Sequence, residues 1–556
     1  MAREKISELV QSHSFLPQVP AREQIHWMLD RPDADAFIEA QDPVVLLRVM
    51  EEAGWEEASA LVPYISPWQL QVFLDFDVWR KDRFVSQKLI RWFETALELA
   101  DDQKFKRFCR ETDAEMLALL FQEHLMVGLF DEDGDPPPEF NAYDWSNSPD
   151  GIYAIVFPED EEMSVLLRNM INRLYEVDRV MGWTLLEAAR WELHSNMEEE
   201  AYRWRNSRLE EFGFVSREEA MDIYRPIDPV KLRDKGYQDI EHKRLDKIGK
   251  TTLPALFDPS QTGNFYILQI LDALPEDELT LLFNELIAVQ NRALLADGVE
   301  PSNAAIAREI TERTLGYMSV GLEFLARGDD DEAEAWISNL AMREIFRVGF
   351  SLVSRLQRTA RELEKRPTLT ILEGERFSLL NEDERAFFEG ISRPRPVLQD
   401  PEGFRNFERQ ADIDSAAGRL ALIAFKQIWT FGIEKFEAAS IAELATTCAN
   451  PATELGFDLL FRTRVANELL KQPSYAPLDT TKLAELAQLV KERSQNDDLF
   501  QYFKEMMADT VVAVGPNAAR PISAWISASI ARLNEEIGSV VNPDPALLGE
   551  VVLLKA

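Results

Sequence analysis

Leu89–Ala100 reads LIRWFETALELA. Leu89, Trp92, Phe93, Ala96, Leu97 and Ala100 recur at spacings of three and four, which makes one apolar stripe on a helix of 3.6 residues per turn. The same pattern extends in both directions, from about Ile6 to about Leu533, and Pro, Asp-rich or Gly-containing breaks cut it into short pieces. Strand-like alternation is nearly absent. The expected fold is all-α, a superhelical or solenoid-like stack of short helices carrying at most a minor strand pair.

Starts and stops support this reading. Thr112 with Glu115 and Ser216 with Glu219 have capping-box spacing. Leu117, Leu120, Phe121 and His124 share a face after the first box; Ala220, Ile223 and Tyr224 follow the second, and Pro226 ends that helix. Pro275 opens a helix with the stripe Leu279, Leu282, Phe283 and Leu286, since a first-turn Pro loses no helical hydrogen bond. Further helices are expected over about Asn303 to Ala326, Asp331 to Glu364 and Asn381 to Ile391. The segments ISPWQLQVFLDF (Ile65–Phe76), LPEDELTLLFNEL (Leu274–Leu286) and LNEDERAFFEGI (Leu380–Ile391) echo one another without a fixed period, so a strict repeat array is not supported.

Two breaks divide the chain. Asp131–Gly151, DEDGDPPPEFNAYDWSNSPDG, combines three consecutive prolines with mutually repelling carboxylates. Ser392–Gly403, SRPRPVLQDPEG, is the second. The expected organisation is a helical superhelix over 1–130, an acidic Pro-rich linker or loop over 131–151, a Trp- and Arg-rich helical region over 152–391, a Pro-rich loop over 392–403, and a helical region over 404–556 whose tail after Pro543 is loosely attached. Ile152–Phe157 (IYAIVF) is the best strand in the first half, and Pro367–Leu372 (PTLTIL) is its expected partner.

The chain has 556 residues, too many for one compact core. Asp and Glu number 98 against 60 Lys and Arg, a formal charge of −38. That charge repels nucleic acid and anionic membranes and favours cations and basic partners. Cys109 and Cys448 are too few for a disulfide framework and fit a reduced, cytoplasmic setting. The N-terminal MAREKISELVQSHSF lacks the apolar core of a secretory signal, and no apolar run is long enough for a transmembrane helix.

Motifs for chemistry are sparse. Gly249-Lys250-Thr251-Thr252 ends like a phosphate loop, but Arg244 occupies the position of the required first Gly, and Pro254 interrupts the helix that should follow. Asp131, Asp133 and Gly134 fit part of a calcium loop, with Leu129 and Phe140 at its first and twelfth positions. That leaves only weak association of divalent cations with the acidic loop. Glu23 and His26 have di-iron spacing without the second pair. Glu187, Arg190, Trp191, His194 and Glu198 would line one side of a continuous helix. With no metal, cofactor or catalytic constellation in view, no enzyme activity is expected.

Two stretches are locally basic and aromatic: AYRWRNSRLEEFGF, with Tyr202, Arg203, Trp204, Arg205 and Arg208, and Met342–Arg366, with Arg343, Arg347 and Arg355. Planar guanidinium and aromatic groups suit partner recognition. These eight residues form the candidate partner-binding set.

SPWQLQVFLDFDVWRKD (Ser66–Asp82), EEEAYRWRNSRLEEFGFVSREEAMDIYRPIDP (Glu198–Pro229) and REIFRVGFSLVSRLQRTA (Arg343–Ala360) resemble segments of a bacterial family known only as a domain of unknown function. The resemblance spans most of the chain and implies no catalytic residue. Val44–Leu129 is also similar in style to the cytosolic N domain of magnesium transporters, which implies a superhelix of short helices with acidic surfaces. The leading functional expectation is a cytoplasmic scaffold that binds a protein or peptide. The alternatives are a regulatory module sensing divalent cations through acidic loops, and an unrecognised enzyme.

Overall fold

Leu89, Trp92, Phe93 and Ala96 are almost completely buried in the computed structural model, on the inner face of the helix Ser86–Leu97. The helix stops before Ala100 because the N–H groups of Glu98 and Leu99 turn to the carbonyls of Thr95 and Ala96, which tightens the last turn. The structure describes residues 16–17, 19–211, 214–237, 263–298, 304–365, 379–449, 455–494, 498–515, 518–540 and 542–555. It is 72% helical, so the all-α expectation is met. Among the described residues strands occur only as small antiparallel sets. Among the described residues no helix is long and apolar enough to cross a membrane.

The chain divides into two compact units. One takes the chain up to Met318 together with Leu325–Arg347; the other takes Ser319–Phe324 and the chain from Val348 onward.

In the first unit the helices that matter below are α1 (Pro67–Asp77), α2 (Ser86–Leu97), α3 (Asp102–Glu111), α4 (Ala114–His124), α5 (Glu161–Val177), α6 (Arg179–Trp191) and α7 (His194–Glu211). α4 is the hub. Met116 to Phe121 are all buried along it, and α2, α6 and α7 pack against it. Gln122 near its end donates to the carbonyls of Ala189 (3.1 Å) and Glu192 (2.9 Å), which fixes the end of α6. At the start of α4 the N-cap is Asp113 rather than the expected Thr112. The Thr112 hydroxyl instead donates back to the Phe108 carbonyl and closes α3 (3.0 Å).

A two-stranded hairpin, β1 (Trp79–Arg80) with β2 (Arg83–Phe84), links α1 to α2. A three-stranded sheet follows α4: β3 (Met126–Leu129), β4 (Trp145–Asn147) and β5 (Tyr153–Val156), with β5 in the middle. The strand expected over Ile152–Phe157 is therefore present, but its partner is corrected. β3 and β4 fill both edges of β5, which leaves no edge for Pro367–Leu372, a segment that lies outside the described residues. Nearby strands pair at lower loop-closure cost than distant ones. The acidic 131–151 stretch lies inside the first unit and folds back on this sheet. Phe140 is buried against Ala154 and Val156, and Pro137 covers Gly128, where an added Cβ would come within 2.6 Å of the Pro137 ring.

The helical pattern read over Asp331–Glu364 is two helices, α8 (Asp330–Asn339) and α9 (Met342–Glu364). Leu340 is extended, and the Glu285 carboxylate accepts from the Met342 N–H (3.1 Å), giving the second helix its own start.

The second unit is organised by α10 (Glu382–Ser392), α11 (Gln410–Gln427), α12 (Phe457–Leu470), α13 (Leu483–Ser494) and α14 (Ala519–Leu533). A capping box of Asn381 and Glu384 opens α10. The second Pro-rich break forms a hairpin, β6 (Leu398–Asp400) with β7 (Gly403–Arg405). Phe425, Phe461, Val465, Leu486, Val490, Phe503, Ile526 and Leu533 share one core with Val551, Val552 and Leu554. The expectation of a loose tail after Pro543 is thus overturned. Arg462 donates to the carbonyls of Val551 (2.8 Å) and Glu550 (2.7 Å), and the Leu553 N–H donates to Thr463 Oγ1 (2.9 Å). The Leu478 N–H also bonds the Leu553 carbonyl.

Candidate interaction surface

The first basic stretch lies on α7, and its side chains part company there. Successive helical positions differ by about 100° in direction, so neighbours in sequence face opposite ways. Arg205 turns inward and is only 9% exposed. Its Nε donates to the backbone carbonyl of Asp75 (2.6 Å), and its guanidinium lies 5.8 Å from the rings of both Trp79 and Tyr202. Arg208 forks onto two carboxylates. It reaches Asp75 at 2.8 and 2.6 Å and Asp113 at 3.0 and 2.7 Å. Arg208 therefore ties α7 to α1 and to the start of α4.

Burial pushes the Asp75 carboxyl up to about 6, against the downward pull of Arg208. Burial works to lower the Arg208 guanidinium, but the hydrogen bonds it donates to Asp75 and Asp113 outweigh that and hold it above the usual range. Arg205, buried without a carboxylate bond of its own, is lowered. Tyr202 is half-buried, its ring 5.7 Å from Trp79. Arg203 points outward and pairs with Glu199 at 2.5 Å. Trp204 is 56% exposed.

The second stretch lies on α9. Arg343 sits near Asp222 (4.0 Å) and Glu344 (3.3 Å). Arg347 is turned in, donating to the Arg225 carbonyl and to Glu344. Arg355 is exposed and belongs to the second unit.

The polar helix side expected from Glu187 to Glu198 does not form, because the chain breaks between α6 and α7 at Glu192 and Leu193. Glu187 pairs with Arg190 and accepts from the Tyr153 hydroxyl (2.8 Å). His194 meets Glu123 (3.3 Å), and Glu198 accepts from the Phe84 N–H (3.0 Å).

Apart from Trp204, the α6–α7 pair exposes apolar residues that lie outside the partner-binding set expected from the sequence. Val180, Trp183 and Trp191 lie on the solvent face of α6, Leu193 in the connection and Trp204 on α7, with exposures of 72, 44, 76, 67 and 56%. Their signal in the sequence was only the spacing of Val180, Trp183 and Trp191.

Between the start of α4, the start of α6, the end of α3 and the middle of α7 lies an open depression of about 720 Å³. Arg110, Asp113, Glu115, Asp178, Val180, Met181, Trp204 and Arg208 contribute to its wall. Asp178 caps α6 through the Met181 N–H and pairs with Arg110 (2.8 Å), which holds its carboxyl below the usual range. Asp113, at the start of α4, is spent on Arg208. Glu115 is half-buried, and burial pushes its carboxyl up. Its own backbone N–H opposes that rise, and Asp113, Glu200 and Glu192 add to it.

Other candidates are accounted for by local bonding. The Asp131 carboxylate accepts from the N–H groups of Asp133 (3.0 Å) and Asp135 (2.8 Å), so the acidic loop folds around it. Among the described residues no group of three or more His, Cys, Asp or Glu is placed to hold a metal ion. His26 lies 3.5 Å from Glu57. Ser86 Oγ is 3.2 Å from His124 Nε2, but Ser86 is 1% exposed, so the hydroxyl is closed to a substrate. Burial pushes the Cys109 thiol up to about 12, far from a reactive thiolate. Gly249–Thr252 lies outside the described residues.

A model described as Family of unknown function (DUF6178) matches residues 3–552, nearly the whole chain. No curated protein and no solved structure matches the chain. The likeness to the magnesium transporter N domain gains no support from these comparisons.

Proposed function

We propose, from the premise that the chain belongs to the Family of unknown function (DUF6178), that its first unit docks a protein partner through the exposed apolar face of α6 and α7. One observation carries the reading: Val180, Trp183, Trp191, Leu193 and Trp204 stand in solvent within two consecutive helices and their connection. Single exposed apolar residues are ordinary, but a concentration of three tryptophans is not. Each of these tryptophans leaves about half or more of its aromatic surface to be buried, and Trp is among the residues enriched where interface energy concentrates. The helices beneath are held by the hub α4 and by the Arg208 fork, so the face is presented by a rigid frame. The setting we propose is cytoplasmic, in keeping with two buried thiols far apart in sequence.

Photo-crosslinking in the native cell tests this. A benzoylphenylalanine replacing Leu193 is expected to capture one reproducible partner, and Trp191→Ala with Trp204→Ala is expected to abolish the product. The same probe replacing Val512, 80% exposed in the second unit, is the control. Identical products from both positions, or a product indifferent to the two Trp substitutions, would refute the docking reading.

A further inference from the structure

The depression beside Trp204 is one corner of that surface, and its charges are unevenly matched. Three carboxylates line it: Asp113, Glu115 and Asp178. Two guanidinium groups line it as well, and both are already engaged, Arg110 with Asp178 (2.8 Å) and Arg208 with Asp113 (2.7 Å) and Asp75 (2.6 Å). Among the described residues no cation pairs with Glu115, and the charges that act on it are those of Asp113 just before α4, Glu200 on α7 and Glu192 just after α6. The half-exposed indole of Trp204 and the exposed Val180 line the same depression.

We infer that this depression receives a cationic side chain, a lysine or arginine of the docked partner, stacked on Trp204 and paired with Glu115. The inference rests on the docking reading above and names the chemistry of the partner. An indole face attracts a cation through its quadrupole. A partly desolvated carboxylate among like charges gains more from an incoming cation than an exposed one does. A phosphate or an acidic peptide would meet Asp113, Glu115 and Asp178, and both guanidinium groups of the lining are already engaged. An apolar side chain would fit the indole and Val180 but leave Glu115 half-buried without a counter-charge. At about 720 Å³ the depression is wide enough for the long stem of either basic residue. The chain's charge of −38 draws such a partner in at long range, and the depression gives it a specific seat.

The test uses the full chain and two fluorescein-labelled peptides of alternating leucine and arginine, one carrying citrulline in place of every arginine. Citrulline keeps the shape and loses the charge. The arginine peptide is expected to bind at least roughly tenfold more tightly, and Glu115→Gln and Trp204→Ala are each expected to remove most of that preference. Glu210→Gln, an exposed carboxylate on α7 outside the depression, is expected to leave it unchanged. Melting temperatures of the variants establish that each is folded. Equal binding of both peptides overturns the cation inference and leaves docking standing. An equal loss in Glu115→Gln and Glu210→Gln also overturns it, since binding then follows the overall field. No binding of either peptide overturns it too, and the docking reading is then decided separately by the crosslink at Leu193.

Discussion

Arg208→Met removes the fork while keeping the aliphatic stem, so the loss is electrostatic more than a loss of packing. Four hydrogen bonds to two carboxylates disappear. Asp113 retains some contact with water at 13% side-chain exposure, but Asp75 has none at 0%. Arg205 does not take over, because its Nε is bonded to the Asp75 backbone carbonyl and not to the carboxylate. Stranding a buried charge in this way costs about 3–5 kcal/mol. The cost must depend on pH. Asp75 already sits at about 6 with Arg208 present, and removing its strongest downward influence raises it further. A folded-state value above the unfolded one contributes stability that is present at low pH and lost as pH rises through the folded value. The deficit of Arg208→Met is therefore larger at about pH 8 than at about pH 6: it shrinks by about 1.4 kcal/mol per pH unit between the variant's Asp75 value and the unsubstituted value of about 6, and levels off below that. Adding Asp75→Asn should restore part of the stability at pH 8. Urea unfolding followed by tryptophan fluorescence reads this, since Trp79 and Trp92 are buried in the first unit. A deficit under about 1 kcal/mol at pH 8, or one that ignores pH, would show that the fork is not an ion-pair clasp.

In the second unit, Lys426 is 1% exposed and lies 2.8 Å from Glu384 and 2.5 Å from Asp458. Burial would raise the Asp458 carboxyl, but Lys426 brings it down to about 2, so its stabilising contribution is present above about pH 4 and is lost as pH falls through 2. Lys426→Met should cost about 3–5 kcal/mol and move acid unfolding to higher pH, as calorimetry across pH would show. Deleting 551–556 removes the buried side chains Val551–Leu554. At about 1.5–3 kcal/mol each, the loss rivals the stability of a whole domain, so limited proteolysis should find the second unit open. Gly182→Ala places a Cβ within 2.5 Å of the Tyr175 ring, where α6 crosses α5. It should destabilise by about 1–3 kcal/mol in thermal melts, and an unchanged melting temperature would mean that the ring yields freely.

The helical architecture was legible because burial imposes its period on the sequence: Leu89, Trp92, Phe93 and Ala96 are spaced by the geometry that hides them. Capping chemistry was legible where both partners are local, as with Asn381 and Glu384. What could not be read is the direction of charged side chains. Trp204 and Arg205 are adjacent, yet one stands in water and the other is buried, and the deciding groups, Asp75 and Trp79, come from a distant helix and hairpin. The β-propensity of Ile152–Phe157 showed a strand, whereas its partners were set by proximity and not by composition. The tail was misread although its signal, the run VVLL from Val551 to Leu554, is plain; an apolar run near a terminus is core material when a neighbour such as Arg462 pins its backbone. The sequence reading found Trp204, whereas the rest of its surface depended on where α6 stops.

The Asp75–Arg208 and Asp113–Arg208 contacts span 133 and 95 residues of chain. Closing loops of that length is entropically unfavourable, and contacts of such range slow the search for the native state. Individual rods can flicker into shape within microseconds, but the two carboxylates that the guanidinium bonds in the folded unit reach it only with the long-range fold. The indole seat next to Arg208 is then among the last features of the first unit to mature, so a half-made unit offers visitors greasy helices before it offers a selective berth.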